Sequence, residues 1–273
     1  APPATAPANA SPPATSPLVS VKEPLAEDAP EKLIAEAIEP TDHEALTGEP
    51  HTLVAVLGRA GGDRDRQLRA TVAYWQLAAA VANYHFRQLE VDYLRQIEGF
   101  ESSASEGAGS SAPQGDPLRI AAADAKRGEA QLEAIVAQHS LATWLGVPAS
   151  APLPLPVDRP HVNAYRTYYQ QLFPSGGSLA LRRIDETLPI RRQEIAIRAR
   201  AVRRAEEVLS VAETAYISGN GSRRDLLSAL ARLSAERQLF VEAVRKYNTE
   251  IGEYAITVAR PGAPPRDLVA MML

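Results

Sequence analysis

Cysteine is absent from the whole 273-residue chain, which excludes disulfides, thiolate nucleophiles and cysteine metal sites and leaves oxidising and reducing compartments equally open. Aromatic side chains are scarce at 5%, so a core must be built from alanine and aliphatic residues, a composition that suits closely packed helices. No apolar run reaches the roughly 18 residues that a bilayer-spanning helix needs. Charge of one sign is also lacking: a formal net charge of −4 gives no reason to expect nucleic acid as a partner. Catalytic signatures such as G-x-S-x-G, a P-loop or a paired metal-binding histidine motif do not occur, so no enzyme is expected. The histidines His43, His51, His85, His139 and His161 are scattered without metal-ligand spacing. A site shared by His85 and His139 is outweighed by ordinary seam or surface roles. Neither a metal nor a cofactor is expected.

What is present divides the chain by composition. Residues 1–30 are rich in Pro, Ala, Ser and Thr and read as a disordered tether, and 31–62 as a short helical and irregular lead-in. In the lead-in, KLIAEAIE before Pro40 and TLVAVLGRAGG are each too short to build a core. Residues 63–148 read as a first helical hairpin, with helices from Asp63 to about Glu101 and from the Asp116-Pro117 start to Gly146. The Ser/Gly-rich stretch 102–115 between them reads as a mobile tip loop. A Pro-rich connector fills 149–178, where Tyr165, Tyr168, Tyr169, Leu172 and Phe173 fall on one face of a short helix. A second hairpin occupies 179–258, and a turn-rich tail 259–273.

Helical period carries these assignments. Leu68, Val72, Trp75, Ala79, Ala82, Phe86, Leu89 and Tyr93 recur at spacings of three and four. Leu188, Ile195, Val202, Leu209 and Tyr216 recur every seven, with Ala205 and Ala212 between, and Leu226, Leu230, Leu233, Phe240, Val244, Tyr247, Ile251, Tyr254 and Val258 continue the pattern around Arg237. Between the last two stripes lies AYISGNGSRRDLLSA, residues 215–229. Gly219 or Gly221 can close a helix in the left-handed conformation, and Ser222 with Asp225 forms a capping box that opens the next. The stretch reads as the tip of an antiparallel hairpin with arms of about 30 and 37 residues, roughly 45 to 55 Å long. The fold class is all-α: an elongated antiparallel coiled-coil bundle of two long helical hairpins.

Two stretches carry a family resemblance. Residues 202–256 resemble the C-terminal hairpin of the TolC-like outer-membrane efflux family, which reads A-Y-x-x-G near the tip, then S-x-x-D-L-L, then a Tyr-Asn pair on the returning helix. The matching residues are Ala215, Tyr216, Gly219, Ser222, Asp225, Leu226, Leu227, Tyr247 and Asn248. AYWQLAAAVANYHFRQLEV at 73–91 and LATWLGVP at 141–148 are similar to the start and finish of the family's first hairpin. The resemblance implies trimers whose protomers give four strands to a membrane barrel and two hairpins to a periplasmic tunnel. No barrel is evident: 149–178 is too short and Pro-rich for two strands of about 9 to 11 residues with turns, and 40–62 offers one apolar run.

The expectation is therefore a TolC-like envelope protein associated with efflux or export, using its hairpins to form or contact a conduit. The alternative is a soluble extracytoplasmic coiled-coil protein with a structural or interaction role and no barrel. Expected partners are proteins: further copies of the chain, a trimer by resemblance, or envelope transport components. Membrane association is left open. The sequence starts at Ala1 rather than methionine, and a periplasmic or outer-membrane location is expected on the assumption of a removed signal segment. The tip residues Tyr216, Gly219, Asn220, Gly221, Ser222, Arg223, Arg224 and Asp225 are the candidate partner contact, with Arg223 and Arg224 unused by the cap. Asn220-Gly-Ser222 also matches a glycosylation sequon that the turn already explains. The basic run Arg182, Arg183, Arg191, Arg192, Arg198, Arg200, Arg203 and Arg204 reads as an exposed face paired with nearby glutamates rather than an anionic-lipid site.

Overall fold

The computed structural model describes residues 29–38, 46–108 and 117–273. Its described residues are mostly helical, so the protein is all-α apart from one short parallel strand pair. The helices are α1 (Ala29–Ile38), α2 (Leu53–Ala60), α3 (Arg64–Ala108), α4 (Pro117–Leu145), α5 (Tyr169–Leu172), α6 (Leu179–Ile217), α7 (Arg223–Val258) and α8 (Pro265–Ala270). Strands β1 (Glu49–His51) and β2 (Pro154–Pro156) pair in parallel. Pro50, Pro154 and Pro156 have no N–H to give, which keeps this ladder at three residues. Gly48 precedes it because a β-carbon there would lie 2.5 Å from the Leu153 carbonyl oxygen.

The long helices pack in a row, α4 on α3, α3 on α7 and α7 on α6. Ion pairs trace the α6 contact with α7: Arg183 meets Glu253, Arg191 meets Glu250 and Glu206 meets Arg237. The row explains the burial. On α6, an outer member, the expected stripe of Leu188, Ile195, Val202, Ala205 and Leu209 is buried, while Ala212 and Tyr216 are half-buried. On α7, an inner member, the stripe from Leu226 to Tyr254 is buried and a second face joins it, including Leu227, Val241, Asn248, Ala255 and Ile256.

Helix α3 departs most from its expected single stripe. Tyr74, Leu77, Val81, Tyr84 and His85 are buried as fully as Trp75 and Phe86, because α1, α2, α4 and α7 surround this part of the helix. Alanines 78, 79, 80 and 82 let those neighbours approach. Leu89, expected in the seam, is exposed. Where α3 crosses α7, a β-carbon on Gly252 would come 2.6 Å from Thr71 Cγ2, so glycine sits inside a helix for close approach.

Several boundaries move. Helix α3 continues to Ala108, so residues 102–108 of the expected loop are helical: Ala and Glu there extend a helix already nucleated. The rest of that loop, and residues 1–28 of the expected tether, lie outside the described residues. Residues 29 and 30 already belong to α1. The short helices α1 and α2 were too short for a core of their own, but they join the common one through Leu33, Ile34 and Ala37, and through Leu53, Val56, Leu57 and Ala60. Helix α6 is 39 residues long, more than the arm expected, since it accommodates Pro189. The connector helix is confined to Tyr169–Leu172: Tyr168 takes a left-handed φ of 52°, and Tyr168 and Leu172 are exposed rather than laid against the bundle.

Candidate functional site

The turn between α6 and α7 is closed by its own backbone. Ser218 N–H donates to Thr214, Gly219 N–H to Tyr216 at 3.0 Å, and the N–H groups of Asn220 and Gly221 both donate to the Ala215 carbonyl, at 2.9 and 2.8 Å. Gly219 takes the left-handed conformation, with φ of 77°. Gly221 serves differently: a β-carbon there would lie 2.9 Å from the backbone of Ala215 and Tyr216. Ser222 is the N-cap of α7, its Oγ accepting from Asp225 N–H at 3.1 Å while its hydroxyl donates to the Asp225 carboxylate at 2.6 Å. The Asp225 side chain therefore completes the cap through the serine hydroxyl.

All eight expected tip residues thus fall in or beside one turn, with unequal exposure. Asn220, Ser222, Arg224 and Asp225 are exposed, whereas Arg223 is half-buried and engaged within the fold. Arg224 is left as the outward cation. The Tyr216 ring lies 6.4 Å from that of Phe100, which brings the far part of α3 beside the turn. Nearby, burial and then the Glu213 carboxylate push the Tyr93 hydroxyl up to about 12.

The basic run is mostly paired. Arg182 meets Glu186, Arg183 Glu253, Arg191 Glu194 and Glu250, Arg198 Glu236, Arg203 Glu36 and Glu206, and Arg204 Glu207. Arg237 does not escape to water: its guanidinium stands 4.9 Å over the Phe86 ring and bonds Glu206 at 3.1 Å. Beside it Arg87, Glu90 and Ser234 close a polar triangle across α3 and α7, with bonds of 2.6 to 2.7 Å. His85 is buried and His139 exposed, so they do not share a pocket. Among the described residues no group of three or more His, Asp or Glu side chains is arranged to hold a metal ion.

Side chains that stitch the connector to the helices carry no local sequence signal of that role. The Asn248 amide accepts from His161 N–H at 2.7 Å and donates to the His161 carbonyl at 2.8 Å. Tyr247 OH donates to the Asn163 carbonyl at 2.6 Å and accepts from Tyr165 N–H at 3.0 Å. In the other half, Gln138 Nε2 donates to the carbonyls of Thr47 and Pro154. Tyr74 OH accepts from the N–H groups of Val157 and Asp158, and its proton faces the His51 carbonyl and the Asp158 carboxylate, at 3.0 to 3.1 Å. Burial, with the Asp158 charge second, raises the Tyr74 pKa well above its ordinary value, so the hydroxyl stays protonated. The Asp158 carboxylate also takes the Leu53 N–H at the start of α2. Gln138 on α4 and Asn248 on α7 thus do comparable work, each side-chain amide binding backbone groups of non-helical chain packed against its helix.

Comparison of the chain with family models, with curated proteins and with solved structures finds no match in any of the three.

Proposed function

We propose that the chain is a TolC-like envelope protein associated with efflux or export, whose long helices pair as two antiparallel coiled-coil hairpins and whose copies join side by side to form or contact a conduit. The observation that carries this reading is the row of long helices with apolar side chains left exposed on its two outer members, α4 and α6. On α4, Leu118, Leu132 and Val136 are exposed, and on α6, Ile190, Ile197 and Val211. Positions 190, 197 and 211 hold a seven-residue register that faces away from the α7 seam. A groove of about 700 Å³ between α4 and α7, lined by Ala79, Ala80 and Ala137 and walled by Glu242 and Arg245, offers close approach beside Leu132 and Val136. The long helices come as two sequential pairs, α3 with α4 and α6 with α7, so the contact of α7 with α3 inside one chain is the pattern for a contact of α4 with α6 of the next. Such a head-to-tail contact makes a ring when its rotation closes. The tip from Tyr216 to Asp225, with Arg224 outward, is the proposed contact for an envelope transport partner.

A second reading, an extracytoplasmic coiled-coil spacer without transport activity, draws on the strands. Those among the described residues have three residues each, against about 9 to 11 for a membrane-crossing strand. Light scattering on the full chain separates the two. The conduit reading expects a closed oligomer that becomes monomeric, with helicity unchanged, when Leu132 and Val136 are both replaced by Glu. A monomeric unsubstituted chain favours the spacer.

A further inference from the structure

His161 lies in the connector where it crosses α7, and both of its backbone polar groups are bound by one side chain, Asn248, which is itself buried. Its ring stacks on Tyr247, with centroids 6.2 Å apart and planes 19° apart, and stands edge-on to Tyr165 at 6.3 Å. Nε2 is buried without a hydrogen-bond partner. Tyr247 and Tyr165 are in turn joined through the Tyr165 N–H, so ring and backbone are held by the same few residues.

We propose that His161 makes the connector an acid-released latch: neutral, its ring stays packed between Tyr165 and Tyr247 and the connector is fastened to α7, whereas protonation drives the ring to water and opens the fastening at Asn248. Nε2 is buried with no acceptor beside it, so a proton added there loses its water without gaining a hydrogen bond, and an imidazolium keeps that place only at a cost. The groups facing it are Glu31 from α1, whose carboxylate accepts from Asn163 Nδ2 at 2.6 Å, Tyr165 of the connector and Tyr247 of α7, while the Arg192 guanidinium of α6 acts on Tyr247. Glu31 and backbone carbonyls favour the charged form, but burial outweighs them and the imidazole pKa is lowered. With the latched value below the open one, the open connector binds the proton better. The latch is therefore at full strength above about pH 6.5 and weakens as pH falls toward the lowered value.

Amide hydrogen exchange of the full chain, corrected for intrinsic rates, tests this. Protection of residues 161–165 is expected to fall at least tenfold between pH 7.5 and pH 5. His161→Phe, which keeps an apolar ring in the stack, is expected to hold its protection over that range. Equal protection of the wild type at both pH values, or the same loss in the variant, overturns the latch. If the variant does not fold, the imidazole titration of the wild type decides: a midpoint below 6.5 supports the latch and one at or above it overturns it.

Discussion

At the scale of single residues, the chain relies on a few side chains that satisfy backbone groups far away in sequence. Asn248 serves a residue 87 positions earlier. Its replacement by Ala leaves the part-buried His161 N–H and carbonyl without their partner, and chemical denaturation is expected to show a loss on the order of 1 to 3 kcal/mol. Tyr74→Phe removes a hydroxyl that meets two N–H groups and a carboxylate, with an expected cost of about 2 to 3 kcal/mol. The tip behaves differently because it is exposed. Replacing Ser222 and Asp225 together by Ala removes one helix cap and costs on the order of 1 to 2 kcal/mol. Arg224→Gln, which withdraws a cation from the positive end of α7, leaves stability unchanged or slightly raised. These variants separate what holds the tip together from what it offers to a partner.

At the scale of elements, the α3 crossing with α7 sets the tightest constraint. Gly252→Ala adds a methyl group that meets Thr71 Cγ2, and overpacking of about 1 to 3 kcal/mol outweighs the roughly 1 kcal/mol that alanine gains in helix propensity. Thr71→Ala in the same chain removes the clash, so the double variant is expected to regain most of the loss in a double-mutant cycle. Much of this level was legible in the sequence. The α6 stripe from Leu188 to Leu209 and the capping serine are local patterns and stand where their residues placed them, and of the two glycines that could close the helix it is Gly219 that does so. The burial of more than one face of α3 was not legible, because a one-stripe pattern describes a helix with one neighbour. Tyr74, Leu77, Val81 and Tyr84 were apolar or amphipathic residues off the stripe, and only the arrival of α1, α2 and α4 gives them a place. The connector latches were invisible for a related reason: Tyr247 and Asn248 could be matched to a motif, but their partners lie in a Pro-rich stretch with no period. Pro189 lies inside α6, which runs through it from Leu179 to Ile217 although proline removes one intrahelical hydrogen bond.

At the scale of the molecule, we propose that the row of long helices is continued by another copy of the chain. Heights along the row can be matched. Val136 of α4, Ala80 of α3 and Glu242 of α7 line one groove, and Arg191 and Arg198 of α6 reach Glu250 and Glu236 on either side of Glu242. Ile197 of α6 therefore stands at the height of Val136, at the opposite end of the row. The absence of native cysteine makes the direct measurement clean. In a full chain carrying both Val136→Cys and Ile197→Cys, mild oxidation is expected to link copies head to tail into a closed covalent oligomer on a non-reducing gel, while either substitution alone yields no linked species. A double variant that stays monomeric at tens of micromolar, or a single variant that dimerises through its own edge, contradicts the account.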